Sequence, residues 1–113
     1  DEMEAKRAIK DIEYILPRIK EILERIYSDR LEDVILYGSF ARNMPTEDSD
    51  IDIAVVLKGK MNKAKEIDKI YDALYDLILE TSELISVYPI SEKEVENSVW
   101  PLYYHIRTEG IKI

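Results

Sequence analysis

The sequence predicts an α/β fold (of the α+β type), a small mixed β-sheet packed by helices, and three observations carry that expectation. Residues 9 to 26 and 64 to 78 repeat apolar side chains every three or four positions, which is the period of one helix face. Residues 33 to 37, 51 to 57 and 84 to 88 are short, apolar and stopped by turn-forming neighbours, as strands are. The length of 113 residues, 46% of them hydrophobic, suits a single domain (residues 1–113) with one real core.

In chain order, Ile9, Ile12, Leu16, Ile19, Leu23 and Ile26 form the first apolar stripe. Pro17 interrupts it, and because proline lacks an amide donor and clashes with the preceding turn, a kink or break is expected near residues 13 to 17. Asp33 to Tyr37 reads as a buried strand ended by Gly38, and Ser39 to Arg42 as the first turn of a short helix. Asn43 to Ser49 is a polar loop in which Asn43 is suited to the left-handed conformation. Ile51 to Leu57 is the second strand. Gly59 marks a turn and Asn62 a helix N-cap, after which Ala64, Ile67, Ile70, Leu74, Leu77 and Ile78 stripe a helix to about Glu80. Leu84 to Tyr88 is the third strand, expected to close at Pro89. Ser91 with Glu94 forms a capping-box signature, and Pro101 and Gly110 bracket a last helix over residues 101 to 109. Ile111 to Ile113 reads either as an edge strand or as a frayed terminus.

Composition excludes several functions. A net charge of −8 and a pI near 4.7 oppose stand-alone binding to nucleic acid, whose affinity rests on cations neutralising phosphates. The absence of cysteine removes disulfides and thiolate metal sites. No signal-like start is present and the longest strongly apolar run, Ile53 to Leu57, is far too short to span a bilayer, so no membrane partner and a cytoplasmic location are expected.

The chemistry concentrates in Tyr37 to Leu57, YGSFARNMPTEDSDIDIAVVL. Alternate strand residues share a face, so Asp50 and Asp52 project together, about 6.6 Å apart at a rise of about 3.3 Å per residue. Two such carboxylates repel unless a cation sits between them, and hard oxygen donors select Mg²⁺ or Mn²⁺. Two of these ions about 3.5 to 4 Å apart can clamp the oxygens of a phosphoryl transfer. Gly38 lets the backbone approach an anion, the amides of the following turn point toward it, and Ser39 adds a hydroxyl. Arg42, one turn on, can pair with a phosphate or with a loop acid. Other motifs fail: a calcium loop beginning at Asp48 would need Gly where Ile53 stands, no Walker sequence is present, and His105 is the sole histidine, with no nucleophile elbow around Ser39.

These residues resemble the minimal nucleotidyltransferases, or MNT proteins, of the DNA polymerase β superfamily, whose signature is Gly-Ser, ten residues, then Asp-x-Asp. Gly38, Ser39, Asp50 and Asp52 match that spacing, and the strong likeness covers residues 34 to 57. The resemblance implies a polymerase-β-like fold, a nucleoside triphosphate, ATP, held by Gly38, Ser39 and Arg42, and two Mg²⁺ held partly by Asp50 and Asp52. It also implies transfer of AMP to an acceptor, with Asp50 and Asp52 catalytic. Many small members are paired with a HEPN-domain toxin and look like its antitoxin, some by attaching AMP to a toxin tyrosine.

Two positions depart from the pattern. Asn43 stands where Gly is usual, a mild change. The third carboxylate of the superfamily lies on a later strand, and Leu84 to Tyr88 contains none; Glu83 just before it is the candidate metal ligand, with Ser86 as the alternative occupant of that place. The expectation is thus a Mg²⁺-dependent protein adenylyltransferase acting as an antitoxin. The alternative is a weak or inactive descendant that neutralises its partner by binding alone, and a small-molecule nucleotidyltransferase comes third, for want of an acceptor-binding extension. Small size and spare apolar helices point to assembly with another protein or with a second copy.

Overall fold

A computed structural model describes residues 7–97 and 99–113. Its centre is a four-stranded sheet in the order β3-β2-β1-β4, built from β1 (Leu31–Tyr37), β2 (Ile51–Leu57), β3 (Ile85–Ser91) and β4 (Ile111–Lys112). β1 runs antiparallel to β2 and to β4, while β2 and β3 run parallel, so the sheet is mixed as expected. The parallel pair needs a long crossover, and α2 (Lys63–Thr81) supplies it.

The strand sequences explain why both sheet faces are covered. On β2, Ile51, Ile53, Val55 and Leu57 enter one apolar cluster with Ile12, Ile19 and Leu23 of the N-terminal segment and Ile70, Leu74 and Leu77 of α2. Ala54 and Val56 enter a second cluster with Ile35, Ile90, Tyr103 and Ile106, under α4 (Pro101–Glu109). A strand buried on both sides reads as a continuous apolar run, which is what IDIAVVL is apart from its acid. The one buried charged residue among those described, Glu66, accepts from Tyr27 Oη at 2.7 Å and from Arg30 Nη2 at 3.3 Å, so its burial leaves no bare charge.

The predicted break falls where Pro17 demanded it. A 3₁₀ turn over Ile9–Asp11 and further turns through residue 15 precede α1 (Leu16–Tyr27), with the proline in the first turn, where no amide donor is needed. Asn62 caps α2 by accepting from the Lys65 amide at 3.1 Å. Ser91 and Glu94 form the reciprocal capping box of α3 (Glu92–Asn97), at 3.1 and 3.2 Å. Asn43 is left-handed at φ 58°.

Two expectations are corrected, and the alternative left open at the C-terminus is decided in favour of an edge strand. Ser39 to Arg42 make a single turn, with the Arg42 amide donating to the Gly38 carbonyl at 3.1 Å and the Met44 amide to the Ser39 carbonyl at 2.9 Å, and no helix continues from it. The left-handed Asn43 ends the turn. Pro89 does not close β3, which runs on to Ser91. The reason is orientation at an edge: the Val87 amide points away from β2 and donates to Tyr71 Oη at 3.0 Å, and Pro89, two residues on, faces the same way and loses no ladder bond. The terminus is not frayed: Ile111 and Lys112 pair with Leu36 and Ile35, and the Ile113 amide donates to the Val34 carbonyl at 3.0 Å. No helix among the described residues is long and apolar enough to cross a membrane.

Candidate active site

Asp52 is the second residue of β2, flanked in register by Tyr37 on β1 and Ser86 on β3. Asp50 immediately precedes the strand, on the same side by alternation, and accepts a hydrogen bond from Ser86 Oγ at 2.9 Å. The carboxylates therefore lie side by side at the open end of the sheet. The chain leaves β1 through Gly38, whose φ of 79° is one L side chains rarely adopt, and a Cβ there would collide with Asp52 Oδ2. Glycine at this position is thus required twice, by the turn and by the carboxylate lying over it.

The electrostatics follow from that crowding. Burial raises the Asp52 carboxyl above the usual carboxylate range, the negative charge of Asp50 raises it further, and Arg42 opposes both. The Tyr37 hydroxyl is pushed up to about 12, chiefly by burial and then by Asp52. Arg42 also faces Glu109 at the end of α4, with Nη1 3.6 Å from Oε2, and His105 Nδ1 lies 3.3 Å from the same oxygen.

Glu83 is placed elsewhere. Arg7 Nη2 donates to both of its oxygens, at 2.7 and 2.6 Å, while Arg7 Nη1 donates to the Glu47 and Ser49 carbonyls and the guanidinium lies 4.9 Å from the Phe40 ring centroid. Phe40 belongs to the cluster beneath α1 and α2, and so do Ile85 and Val87, the next alternate residues after Glu83. Asp50, Asp52 and Ser86 belong to the other alternation. The structure brings Asp50, Asp52, Gly38 and Ser86 together and engages Glu83 in a clamp on the loop that leads into Asp50. Among the described residues no group of three or more acids or histidines is arranged to hold a metal.

Two adjacent carboxylates, one of them harder to ionise because of burial and then of the other's charge, are oxygen donors of the kind a hard divalent cation would take. Asp50 and Asp52 would hold it, with the Ser86 hydroxyl fixing the orientation of Asp50.

The lysines after β2 do not reach this end. Lys63 donates to Glu94 Oε2 at 2.8 Å and to Tyr103 Oη at 3.2 Å, and Lys58 pairs with Glu32 at 3.7 Å. Lys60, Lys63 and Lys93 line a cleft of about 610 Å³ past the opposite end of β2, with none of the site residues in it. Sequence reasoning missed Tyr37, Glu109 and Arg7. Strand pairing places Tyr37 beside Asp52, and the pairing of β4 with β1 brings Glu109 to Arg42.

Residues 16–109 match the family model described as a nucleotidyltransferase domain. A candidate protein adenylyltransferase of Methanocaldococcus jannaschii is 31% identical over 96 residues, covering 81% of this chain and 90% of that protein. A second from the same organism is 35% identical over 71 residues, covering 58% of this chain and 71% of its own. Among solved structures, a candidate nucleotidyltransferase from Sulfolobus solfataricus superposes with a TM-score of 0.61 at 22% identity, covering 97% of this chain and 89% of that one. A mutant of the toxin-antitoxin complex MntA-HpeT superposes with a TM-score of 0.60 at 16% identity, covering 85% and 69%. At such identities the two structural likenesses speak for the fold alone.

Proposed function

This chain belongs to the nucleotidyltransferase domain family, and from that premise we propose that it is a Mg²⁺-dependent protein adenylyltransferase, transferring AMP from ATP to a partner protein. The observation that carries the reading is the carboxylate pair at the end of β2, with Asp52 over Gly38 and its carboxyl raised by burial and by Asp50. Like charges are kept this close where a divalent cation is to be received.

Gly38 keeps the floor of the site clear, the Ser39 hydroxyl and the amides of its turn hold phosphate oxygens, and Arg42 offers a fork of donors to the same group. Asp50 and Asp52 would hold Mg²⁺, which would withdraw charge from the phosphoryl oxygens. The acceptor oxygen forms its bond to the α-phosphorus, the bond from that phosphorus to the bridging oxygen breaks so that pyrophosphate leaves with the electron pair, and the acceptor proton passes to solvent. The M. jannaschii relatives carry protein adenylyltransferase in their names, and one fold neighbour is a toxin-antitoxin complex. On that basis the acceptor is read as a toxin and the chain as its antitoxin; that the toxin is of the HEPN type, with a tyrosine hydroxyl as the target, is added by the sequence resemblance to the MNT proteins alone.

The test is incubation of the purified pair with ATP and Mg²⁺, followed by intact-mass analysis of the partner. The reading expects an AMP adduct that disappears with Asp50→Ala and Asp52→Ala; an adduct that persists in the double variant would refute it.

Ser86 favours a second reading. It stands in register beside Asp52 where a third carboxylate would complete the site. In that reading the protein neutralises its partner by association. An Asp50→Ala, Asp52→Ala double variant would then still protect cells, and loss of protection with the complex intact would count against it.

A further inference from the structure

We propose that Glu109 is a positioning residue of this site: it holds the Arg42 guanidinium beside Asp52, ready to receive a phosphate group. The inference rests on the nucleotide-binding reading above and extends it to the far end of the chain.

Three observations converge. Glu109 Oε2 is buried and makes no hydrogen bond, yet Arg42 Nη1 lies 3.6 Å and His105 Nδ1 3.3 Å away, so a guanidinium and an imidazole face an otherwise unsatisfied oxygen. The helix dipole does not recommend an acid there, because the last turn presents the negative end and favours cations, and its local neighbour is His105 one turn back. The placement is also built in by the backbone. A Cβ on Gly110 would collide with the Ile106 carbonyl and with Ile35 Cγ2, so glycine lets the end of α4 press against β1. β4 then pairs with Ile35 and Leu36, immediately before Tyr37 and the Gly38 turn. The end of α4 is thereby tied to the strand from which the site turn emerges.

Arg42 needs such an anchor. Its amide is fixed by the Gly38 carbonyl, but the side chain is 44% exposed, and a long arginine without a partner samples many rotamers. With Glu109 holding one edge of the guanidinium, its remaining donors are oriented in advance, which lowers the ordering cost of capturing an anion. His105 lies against the same carboxylate, with Nδ1 3.3 Å from Oε2.

The test is a titration with a fluorescent ATP analogue in Mg²⁺, on wild type, Glu109→Gln, Arg42→Ala and the double variant. Positioning predicts that Glu109→Gln weakens binding by about 5- to 10-fold, that Arg42→Ala weakens it at least as much, and that the double variant is no weaker than Arg42→Ala alone. Losses that multiply, or a Glu109→Gln variant that binds like wild type, overturn the proposal. A second measurement needs no nucleotide: the NMR order parameter of the Arg42 Nε–H group in the free protein should fall in Glu109→Gln while the backbone amide spectrum is retained. An unchanged order parameter overturns the proposal as well. Should wild type fail to bind the analogue, the nucleotide reading falls, and the NMR measurement still decides whether Glu109 holds Arg42.

Discussion

Asp52 shows at the scale of one residue how a functional group is kept at the expense of stability. Burial and Asp50 both disfavour its charged form, and only Arg42 opposes them. Asp52→Asn should therefore stabilise the metal-free protein at neutral pH by about 0.5–2 kcal/mol, the range for relief of a strained functional site, while AMP transfer is lost. Chemical denaturation of both proteins in chelator checks this; an equal or lower midpoint for the variant contradicts it. Gly38, Ser39, Asp50 and Asp52 were legible because a turn glycine, a hydroxyl and alternating acids sit within one local stretch of 15 residues. The partner of Glu83 was not, because Arg7 lies 76 residues away and nothing local announces the pair. Alternation along β3, carried back one residue at a time, is the sequence signal that sets Glu83 apart from Ser86.

At the scale of elements, periodicity and caps located the helices and β2 well, because each rests on neighbours in sequence. Pro89 misled, since whether a proline ends a strand depends on which side of it is paired, and that is decided by β2 and by Tyr71. Gly110 carries a prediction of its own. Its φ of −68° is open to any residue, so Gly110→Ala acts through collision with Ile35 and the Ile106 carbonyl and should cost about 1–3 kcal/mol, read as a lowered unfolding midpoint. A midpoint equal to wild type would show that α4 does not need the close approach. The network joining α2, α3 and α4 gives a pH dependence. Burial works against the Glu94 charge, but hydrogen bonds from Lys63, the Ser91 amide and Tyr103 outweigh it and hold its carboxyl down to about 2. A depressed carboxyl contributes stability above its unfolded value of about 4.5, and that stability is lost as pH falls toward 2. Glu94→Gln should flatten the stability curve in that window and leave its shape above pH 5 unchanged; a curve parallel to wild type throughout contradicts the network.

For the whole molecule, the sheet separates two ends with different chemistry. Carboxylates and the Gly38 turn occupy one end of β2, and the lysine-lined cleft the other. The free edge of β3 is closed to strand addition along much of its length. The Val87 amide is taken by Tyr71, Pro89 has none, and the Ser91 amide is taken by Glu94. On the proposed reading, a protein acceptor would find little of the β3 edge open to pairing and would present its hydroxyl at the carboxylate end. The general architecture was legible because both faces of β2 read as apolar in the sequence. The pairing of β4 with β1, and so the arrival of Glu109 at the site, was not, because it joins two distant segments.

The most direct test of the central claim is which phosphate of ATP the protein transfers. With Mg²⁺ and its partner present, label from α-³²P ATP should appear on the partner, label from γ-³²P ATP should not, and Asp50→Ala with Asp52→Ala should abolish the signal. Transfer of the γ label, or α label that survives in the double variant, would contradict the account.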